Sequence, residues 1–175
     1  MKNQASTLLI VFSGLPGTGK TTLSRELATC IGAVYLRIDS IEQAIREAGV
    51  LRDDVGSSGY RVAGGIARAN LDLGRDVIVD CVNPVAESRR AWAAMAREAG
   101  AALVDIQVLC SDVAEHRRRV EARQGDIPGL TPPDWPAVLR HEFEPWSEPP
   151  FTLDTARLSV ADALSAIVTH LLDAG

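Results

Sequence analysis

Eight consecutive residues near the amino terminus dominate the interpretation of this sequence: Gly14-Leu15-Pro16-Gly17-Thr18-Gly19-Lys20-Thr21. They directly follow the apolar run Leu8–Phe12, which is typical of a buried strand. The spacing fits G-x-x-x-x-G-K-[ST], in which glycines let successive backbone N–H groups turn toward phosphate oxygens. The pattern therefore predicts a strand, a phosphate-binding loop (P-loop) and a helix in succession.

Two side chains of this loop have individual expected roles. Lys20 should contact the β- and γ-phosphates, and the Thr21 hydroxyl should hold Mg²⁺. The helix predicted over 20–31 would direct the positive end of its dipole at the same anion. With ATP and Mg²⁺ as the bound species, the nucleotide-binding set is expected to be Gly14, Pro16, Gly17, Thr18, Gly19, Lys20, Thr21 and Thr22.

The composition indicates a globular domain. A length of 175 residues is enough for a real core, and we expect residues 1–175 to form a single domain. The net charge of −5 argues against a long nucleic-acid partner, because binding a long nucleic acid usually needs a surplus of basic residues.

The first apolar run is too short for a secretory leader, and no stretch has the length of a membrane span. The three cysteines are far apart and form no C-x-x-C, which favours a reducing cytoplasmic setting.

Strand and helix patterns alternate along the chain, which predicts a parallel sheet covered by helices on both faces. The predicted strands are 8–13, 33–38, 76–80, 102–109 and 150–153. The predicted helices are 20–31, 40–48, 58–73, 85–99, 112–124, 134–142 and 159–173. Helix caps are expected at Ser40 with Gln43, Asn83 with Pro84, Asp112 with Glu115, and Ser159 with Asp162. We expect the three cysteines to be buried and the three histidines to lie on the surface or on helices without binding or catalytic roles.

Polar residues stand at four of the predicted strand ends, and ligands of open α/β sheets bind outside the carboxyl ends of the strands. Asp39 could accept the proton of an attacking hydroxyl, or simply serve a helix start. Arg37 could contact phosphate or substrate, or form a salt bridge. Asp80 ends an apolar run in the Walker-B pattern, which would place an acid near Mg²⁺. Asn83 could contact substrate, the alternative being a helix cap.

Two arginines four residues apart, Arg119 and Arg123, share one face of a predicted helix. They directly precede a stretch rich in Gly, Pro and Thr, and we expect a lid over approximately 117–136. An arginine pair on a closing lid can stabilise the charge of a transferring phosphoryl group. The alternative is a solvated helix face on which Glu115 pairs with Arg119.

Together these residues resemble a group of small P-loop kinases that contains chloramphenicol phosphotransferase, the kinase domain of polynucleotide kinases and the zeta toxins. The resemblance rests on Gly14–Thr21, the strand end Arg37–Ser40, Asp80 and the arginine pair, and it covers most of the chain. It implies a three-layer α/β fold with a five-stranded parallel sheet in the order 2-3-1-4-5, helices on both faces and a lid. It also implies that Asp39 is the general base toward a substrate hydroxyl and that the arginine pair contacts the ATP phosphates.

The favoured function is a phosphotransferase that moves the γ-phosphoryl group of ATP to a hydroxyl of a small molecule. The expected residues are Lys20, Asp39, Arg119 and Arg123 for catalysis, Arg37, Asp39, Asp80 and Asn83 for substrate, and Thr21 and Asp80 for metal. A nucleoside monophosphate kinase stays open because Arg37, Arg61 and Arg75 could bind a phosphate acceptor, although Asp39 counts against it. An ATP- or GTP-dependent switch that binds a protein partner also stays open. The sequence carries no motif for one particular acceptor.

Overall fold

The computed structural model describes residues 7–49 and 54–173. The strands are β1 (Leu8–Ser13), β2 (Val34–Arg37), β3 (Val77–Asp80), β4 (Ala102–Leu109) and β5 (Phe151–Asp154). The helices are α1 (Lys20–Ile31), α2 (Ile38–Glu47), α3 (Ser58–Asp72), α4 (Ala86–Ala99), α5 (Val113–Ala122), α6 (Trp135–Arg140) and α7 (Val160–Asp173). Each lies where the sequence predicts it, with ends that differ by no more than two residues.

The five strands form one parallel sheet in the order β2-β3-β1-β4-β5, which confirms the order implied by the resemblance. The central strand β1 pairs on one side with β3, where Leu9 is opposite Val77, and on the other with β4, where Leu8 is opposite Ala102. Because all strands point the same way, their carboxyl ends share one edge of the sheet. The P-loop and the residues that follow β2 and β3 therefore gather at that edge.

Alternate residues of β1 face two different helical layers. Leu9 and Val11 pack in a core with α3 and α4, whereas Ile10 and Phe12 pack in a core with α1 and α7. All four are fully buried, and burial of such a side chain contributes about 1.5–3 kcal/mol to stability. The domain is therefore a three-layer α/β/α sandwich, with the P-loop directly attached to its most buried strand.

The start of α2 differs from the sequence prediction. The helix begins at Ile38 with Arg37 at the N-cap position, and no side chain caps it. The expected capping box of Ser40 and Gln43 is therefore wrong, because both residues lie inside the helix. The shift places Asp39 in the first helical turn, where its negative charge also favours the helix dipole.

The start of α4 differs as well. The helix begins at Ala86 after Val85, so the expected cap at Asn83 and Pro84 is wrong. Asn83 instead adopts the left-handed conformation with φ 50°, which asparagine tolerates better than most residues. By contrast, Asp112 caps α5 as predicted by accepting a hydrogen bond from the backbone N–H of Glu115.

One expectation about a residue type fails, that for the cysteines, whereas the three histidines lie on helices or at the surface as expected. Cys30 is exposed on α1, whereas Cys81 and Cys110 are buried as expected. His116 is 7% exposed and contacts the P-loop, as described below. Within residues 7–49 and 54–173, no helix has the length and apolar character needed to cross a bilayer.

Candidate active site

The P-loop has the conformation that its glycines predict. Gly14, Gly17 and Gly19 have φ values of 143°, 84° and 95°, a region that side-chain-bearing residues rarely adopt. Space is a second constraint, because a Cβ on Gly14 would overlap the carbonyl oxygen of Val108 and one on Gly17 would lie 2.5 Å from Cγ2 of Val120. The loop is thus fixed by close approach to β4 and α5 as well as by its own backbone.

Lys20 begins α1 and is 7% exposed. Its Nζ donates a hydrogen bond of 2.8 Å to the carbonyl oxygen of Leu15 within the loop. Burial lowers the pKa of Lys20, while the carboxylates of Asp80 and Asp39 act in the opposite direction. The ammonium group is therefore held at the centre of the loop, where a phosphate oxygen could replace the carbonyl as its partner.

Two residues from distant parts of the chain hold the P-loop from outside. Nε2 of His116 on α5 lies 2.8 Å from the carbonyl oxygen of Pro16, and the ring meets Trp135 edge to face at 5.1 Å. The Thr155 hydroxyl, just after β5, donates to the carbonyl oxygen of Thr18 at 2.8 Å. These contacts join the loop to α5 and to the end of β5, and they limit the conformations it can adopt.

A cavity of about 1320 Å³ opens at the carboxyl edge of the sheet. It brings together most of the predicted site residues, namely Pro16, Gly17, Gly19, Lys20, Thr21, Thr22, Asp39, Asp80, Arg119 and Arg123. Gly14 and Thr18 are buried behind this lining, where they shape the loop. The volume exceeds that of an ordinary single-ligand pocket, so it can hold a nucleotide and a second molecule.

Arg37 joins the two predicted carboxylates at the ends of β2 and β3. Its Nη2 lies 3.6 Å from Oδ2 of Asp39, and its Nε lies 3.9 Å from Oδ2 of Asp80. Asp80 also accepts a 2.8 Å hydrogen bond from the Tyr35 hydroxyl. Arg37 is 3% exposed whereas Asp39 is 42% exposed. The structure thus favours the salt-bridge interpretation of Arg37, which braces Asp39 while that carboxylate faces the cavity.

Asn83 is fully buried and acts as a connector. Its side-chain amide donates to Oγ of Ser13 at 3.0 Å, its side-chain oxygen accepts from Oγ of Ser88 at 2.7 Å, and its backbone N–H donates to the Tyr60 hydroxyl at 3.0 Å. With these groups engaged, a substrate contact for Asn83 is not supported. The residue instead fixes the chain that leaves β3 beside the P-loop strand.

The two predicted lid arginines are brought to the same cavity but have different partners. Arg119 donates to Glu115 at 2.7 Å and to the Thr155 hydroxyl at 2.8 Å, so the ion pair considered as the alternative is present. Arg123 is the C-cap residue of α5 and lies beyond its last turn. Its guanidinium lies 3.6 Å from the carboxylate of Asp126 and lines the same cavity as Lys20.

Asp126 is a central residue of the site that the sequence analysis missed. Its carboxylate accepts two hydrogen bonds from Arg37, at 2.6 and 3.1 Å, and lies 3.5 Å from Arg25 and 3.6 Å from Arg123. The hydrogen bonds from Arg37 lower the pKa of Asp126 to about 2. We call these four residues the Asp126 junction. An Asp in a Gly- and Pro-rich stretch looks like an ordinary turn residue, so the sequence offered no signal for this cluster.

The glycine-rich loop, the buried lysine at a helix start and the order of the parallel strands define the P-loop nucleotide-binding fold in the form found in small kinases. The chain belongs to the AAA domain family (AAA_33), whose model matches residues 9–130. An uncharacterised protein of Mycobacterium tuberculosis is 36% identical over 67 residues, which are 38% of this chain. The match spans 13% of the length of that relative.

Solved structures show the same fold over nearly the whole chain. A provisionally designated kinase from Chloroflexus aurantiacus has a TM-score of 0.73 at 20% identity, covering 97% of this chain and 98% of its own. Kti12 from Chaetomium thermophilum, in complex with ADP-AlF3, has a TM-score of 0.71 at 24% identity, covering 95% and 98%. The APS kinase of Mycobacterium tuberculosis, in complex with AMPPNP and APS, has a TM-score of 0.70 at 19% identity, covering 95% and 98%.

Proposed function

We propose that this protein is a P-loop phosphotransferase that moves the γ-phosphoryl group of ATP to a hydroxyl of a small-molecule acceptor. The observation that carries the proposal is the position of Asp39. Its carboxylate lines the same cavity as Lys20, is braced by the buried Arg37 and remains 42% exposed. A carboxylate so placed can serve as a general base beside bound phosphates, which a nucleotide-dependent switch does not need.

The residues at the loop fit ATP and Mg²⁺. Gly17 has no room for a Cβ, and Lys20 supplies a buried cation at the start of α1. Thr21 and Asp80 line the cavity and offer hydroxyl and carboxylate oxygens, which are ligands that Mg²⁺ prefers. When bound, Mg²⁺ would neutralise charge on the β- and γ-phosphates.

In the proposed reaction, Asp39 accepts the proton of the acceptor hydroxyl while the acceptor oxygen bonds to the γ-phosphorus. The bond between that phosphorus and the β,γ-bridging oxygen breaks, and ADP leaves. Lys20 and Arg123 supply positive charge on the phosphate side, and Arg119 borders the same space. The stretch after α5 would exclude water, which would otherwise compete with the acceptor.

The charges around the cavity argue against a nucleoside monophosphate as acceptor. Of the three arginines that kept this alternative open, Arg37 is occupied by carboxylates and Arg75 lies before β3, at the opposite edge of the sheet. Arg61 lines the cavity, but Asp39 and Glu42 line it too. The described lining of the cavity carries six acidic and six basic side chains, so a phosphate on the acceptor would meet no net positive charge beyond what the ATP phosphates need, and we propose an acceptor without one.

The test compares Asp39→Asn with Ser40→Ala, an exposed neighbour on α2, in an ADP-release assay with ATP and Mg²⁺. The acceptor panel contains aminoglycosides, phenicols, nucleosides, nucleoside monophosphates, sugars and oligonucleotide ends. We expect Asp39→Asn to bind nucleotide normally and to lose transfer by about 10²–10⁴-fold, as for loss of a general base. Near-normal transfer by Asp39→Asn would overturn the base role, and slow hydrolysis that no acceptor changes would favour the switch.

A further inference from the structure

The cavity continues away from the P-loop as a groove between α3 and α4. Both helices run from the carboxyl edge of the sheet back to its amino edge, because the strands that follow them, β3 and β4, begin there. The lining residues of α3 share one helix face, and they are Ser57 at the N-cap, Tyr60, Arg61, Gly64 and Arg68. The lining residues of α4 also share one face, and they are Glu87, Ser88, Ala91, Trp92, Met95 and Glu98.

The lining residues of α3 define the length of the groove. Ser57 and Arg68 are separated by eleven residues, which is roughly 16 Å at the 1.5 Å rise of an α-helix. At the far end Arg68 donates to Asp72 at 2.8 Å and lies 3.8 Å from Glu98. Exposed, ion-paired side chains therefore lie at the far end of the groove, whose other end opens beside Asp39 and the P-loop.

The middle of the groove is apolar. Tyr60 and Trp92 face each other with ring centroids 6.2 Å apart, and Met95 lies one turn beyond Trp92. Gly64 contributes space, because a Cβ there would lie 3.9 Å from Sδ of Met95 and any longer side chain would enter the groove.

Trp92 gives a second indication of a ligand. Its side chain is 3% exposed and lines the cavity, yet its indole Nε1 finds no hydrogen-bond partner among the described residues. Buried polar groups in proteins are nearly always paired. A hydrogen-bond acceptor on a molecule bound in the groove would satisfy this donor, much as ligand pockets combine apolar walls with a few polar groups.

We propose that this groove holds the body of the phosphoryl acceptor. The acceptor class is then an elongated hydroxyl compound with an aromatic or alkyl body of up to roughly 16 Å, without a phosphate group, whose hydroxyl end lies at Asp39. This inference rests on the phosphotransferase function proposed above. It distinguishes such alcohols from compact polyols, which would leave the apolar walls without contacts.

The test uses a homologous series of ω-phenylalkan-1-ols, with glycerol and glucose as compact polyols. Each methylene that enters an apolar groove should raise kcat/KM about fourfold, until the chain reaches the Arg68 end. The blocking variant is Gly64→Leu. Its matched control is Gly65→Leu, which makes the same exchange in α3 at an exposed position with no atom within 4 Å of the new Cβ.

We expect Gly64→Leu to reduce kcat/KM for the longest alcohols at least tenfold, toward that of the shortest one, and Gly65→Leu to leave the series unchanged. Calorimetry with the unreactive methyl ethers of the same alcohols measures groove binding separately from transfer. A Kd that falls with chain length in the wild type and in Gly65→Leu, but not in Gly64→Leu, supports the groove as a binding site. Transfer to compact polyols with no effect of Gly64→Leu, or a Kd that does not depend on chain length, overturns the groove. The broader acceptor panel described above decides the phosphotransferase proposal separately.

Discussion

Replacement of Asp126 by asparagine should loosen the stretch between α5 and α6 from the body of the domain. Asp126 is the one residue of this stretch whose carboxylate contacts α1, the end of β2 and Arg123 together. Asparagine has nearly the same shape but carries no charge. The change therefore removes the negative charge that the three arginines of the Asp126 junction share, and it creates no cavity.

The magnitude follows from the ionisation of Asp126. Its pKa falls from 3.8 to about 2, chiefly through the hydrogen bonds from Arg37, which corresponds to about 2.4 kcal/mol at about 1.4 kcal/mol per pKa unit. Asp126 is 37% exposed, so solvent screening reduces the contribution to about 1 kcal/mol. A lowered carboxyl pKa stabilises the folded contact above pH 3.8, and this advantage is lost as the pH falls toward 2.

Hydrogen exchange measures this local event directly. A loss of about 1 kcal/mol should make backbone amides of residues 123–134 exchange about fivefold faster at pH 7 in Asp126→Asn, with β1 and β3 unchanged. The control is Glu121→Gln, which removes an exposed ion pair of 2.7 Å with Arg117 and should change exchange by less than twofold. Equal exchange in Asp126→Asn and the wild type would refute the proposed holding role of the junction.

Two further predictions concern the opposite side of the sheet. Arg89 donates to four backbone carbonyls and its guanidinium lies 4.1 Å from the centre of the Trp146 ring, so Arg89→Leu should lower the free energy of unfolding by about 3–5 kcal/mol in urea titrations. The control Arg90→Leu replaces an exposed neighbour and should change this free energy by less than about 0.5 kcal/mol. Similar losses in both variants would contradict the role of the Arg89 hydrogen bonds. Burial raises the pKa of Asp105 from 3.8 to about 6. Between these pH values the folded protein keeps a proton that the unfolded chain has released, and above pH 6 the folded state carries the full cost of charging Asp105. Asp105→Asn should therefore add about 1–2 kcal/mol to the free energy of unfolding at pH 8 and almost nothing at pH 4, and a benefit independent of pH would contradict this assignment.

The elements and the P-loop could be predicted because their signals are local. Periodic apolar residues define each helix face and each buried strand, and the eight residues of the loop carry their own spacing rule. The first turn of α2 was misplaced by two residues because Ser40 looks like a good cap, whereas the chain turns into the helix directly from β2. The capping preference of Ser40 favoured a later start, but the end of β2 at Arg37 decides where the helix begins.

The contacts that hold the site together join residues far apart in sequence, and these could not be predicted. Arg37 and Asp126 are 89 residues apart, and His116 and Pro16 are 100 apart. A histidine inside a helix and an aspartate in a loop each have common structural roles that need no such partner. In a single sequence, nothing links the two members of either pair.

The central place of β1 in the sheet also bears on how the protein forms during synthesis. Leu9 pairs with Val77, and Leu8 pairs with Ala102, which is made 94 residues later. At about 5–20 residues per second, roughly 5–20 s separate the synthesis of β1 from that of β4. Until then the segment before Lys20 has at most β3 beside it and lacks β4, including the Val108 carbonyl against which Gly14 is packed. A nascent chain therefore cannot complete the surroundings of its P-loop until β4 has left the ribosome, and its apolar first strand is exposed to aggregation during that interval.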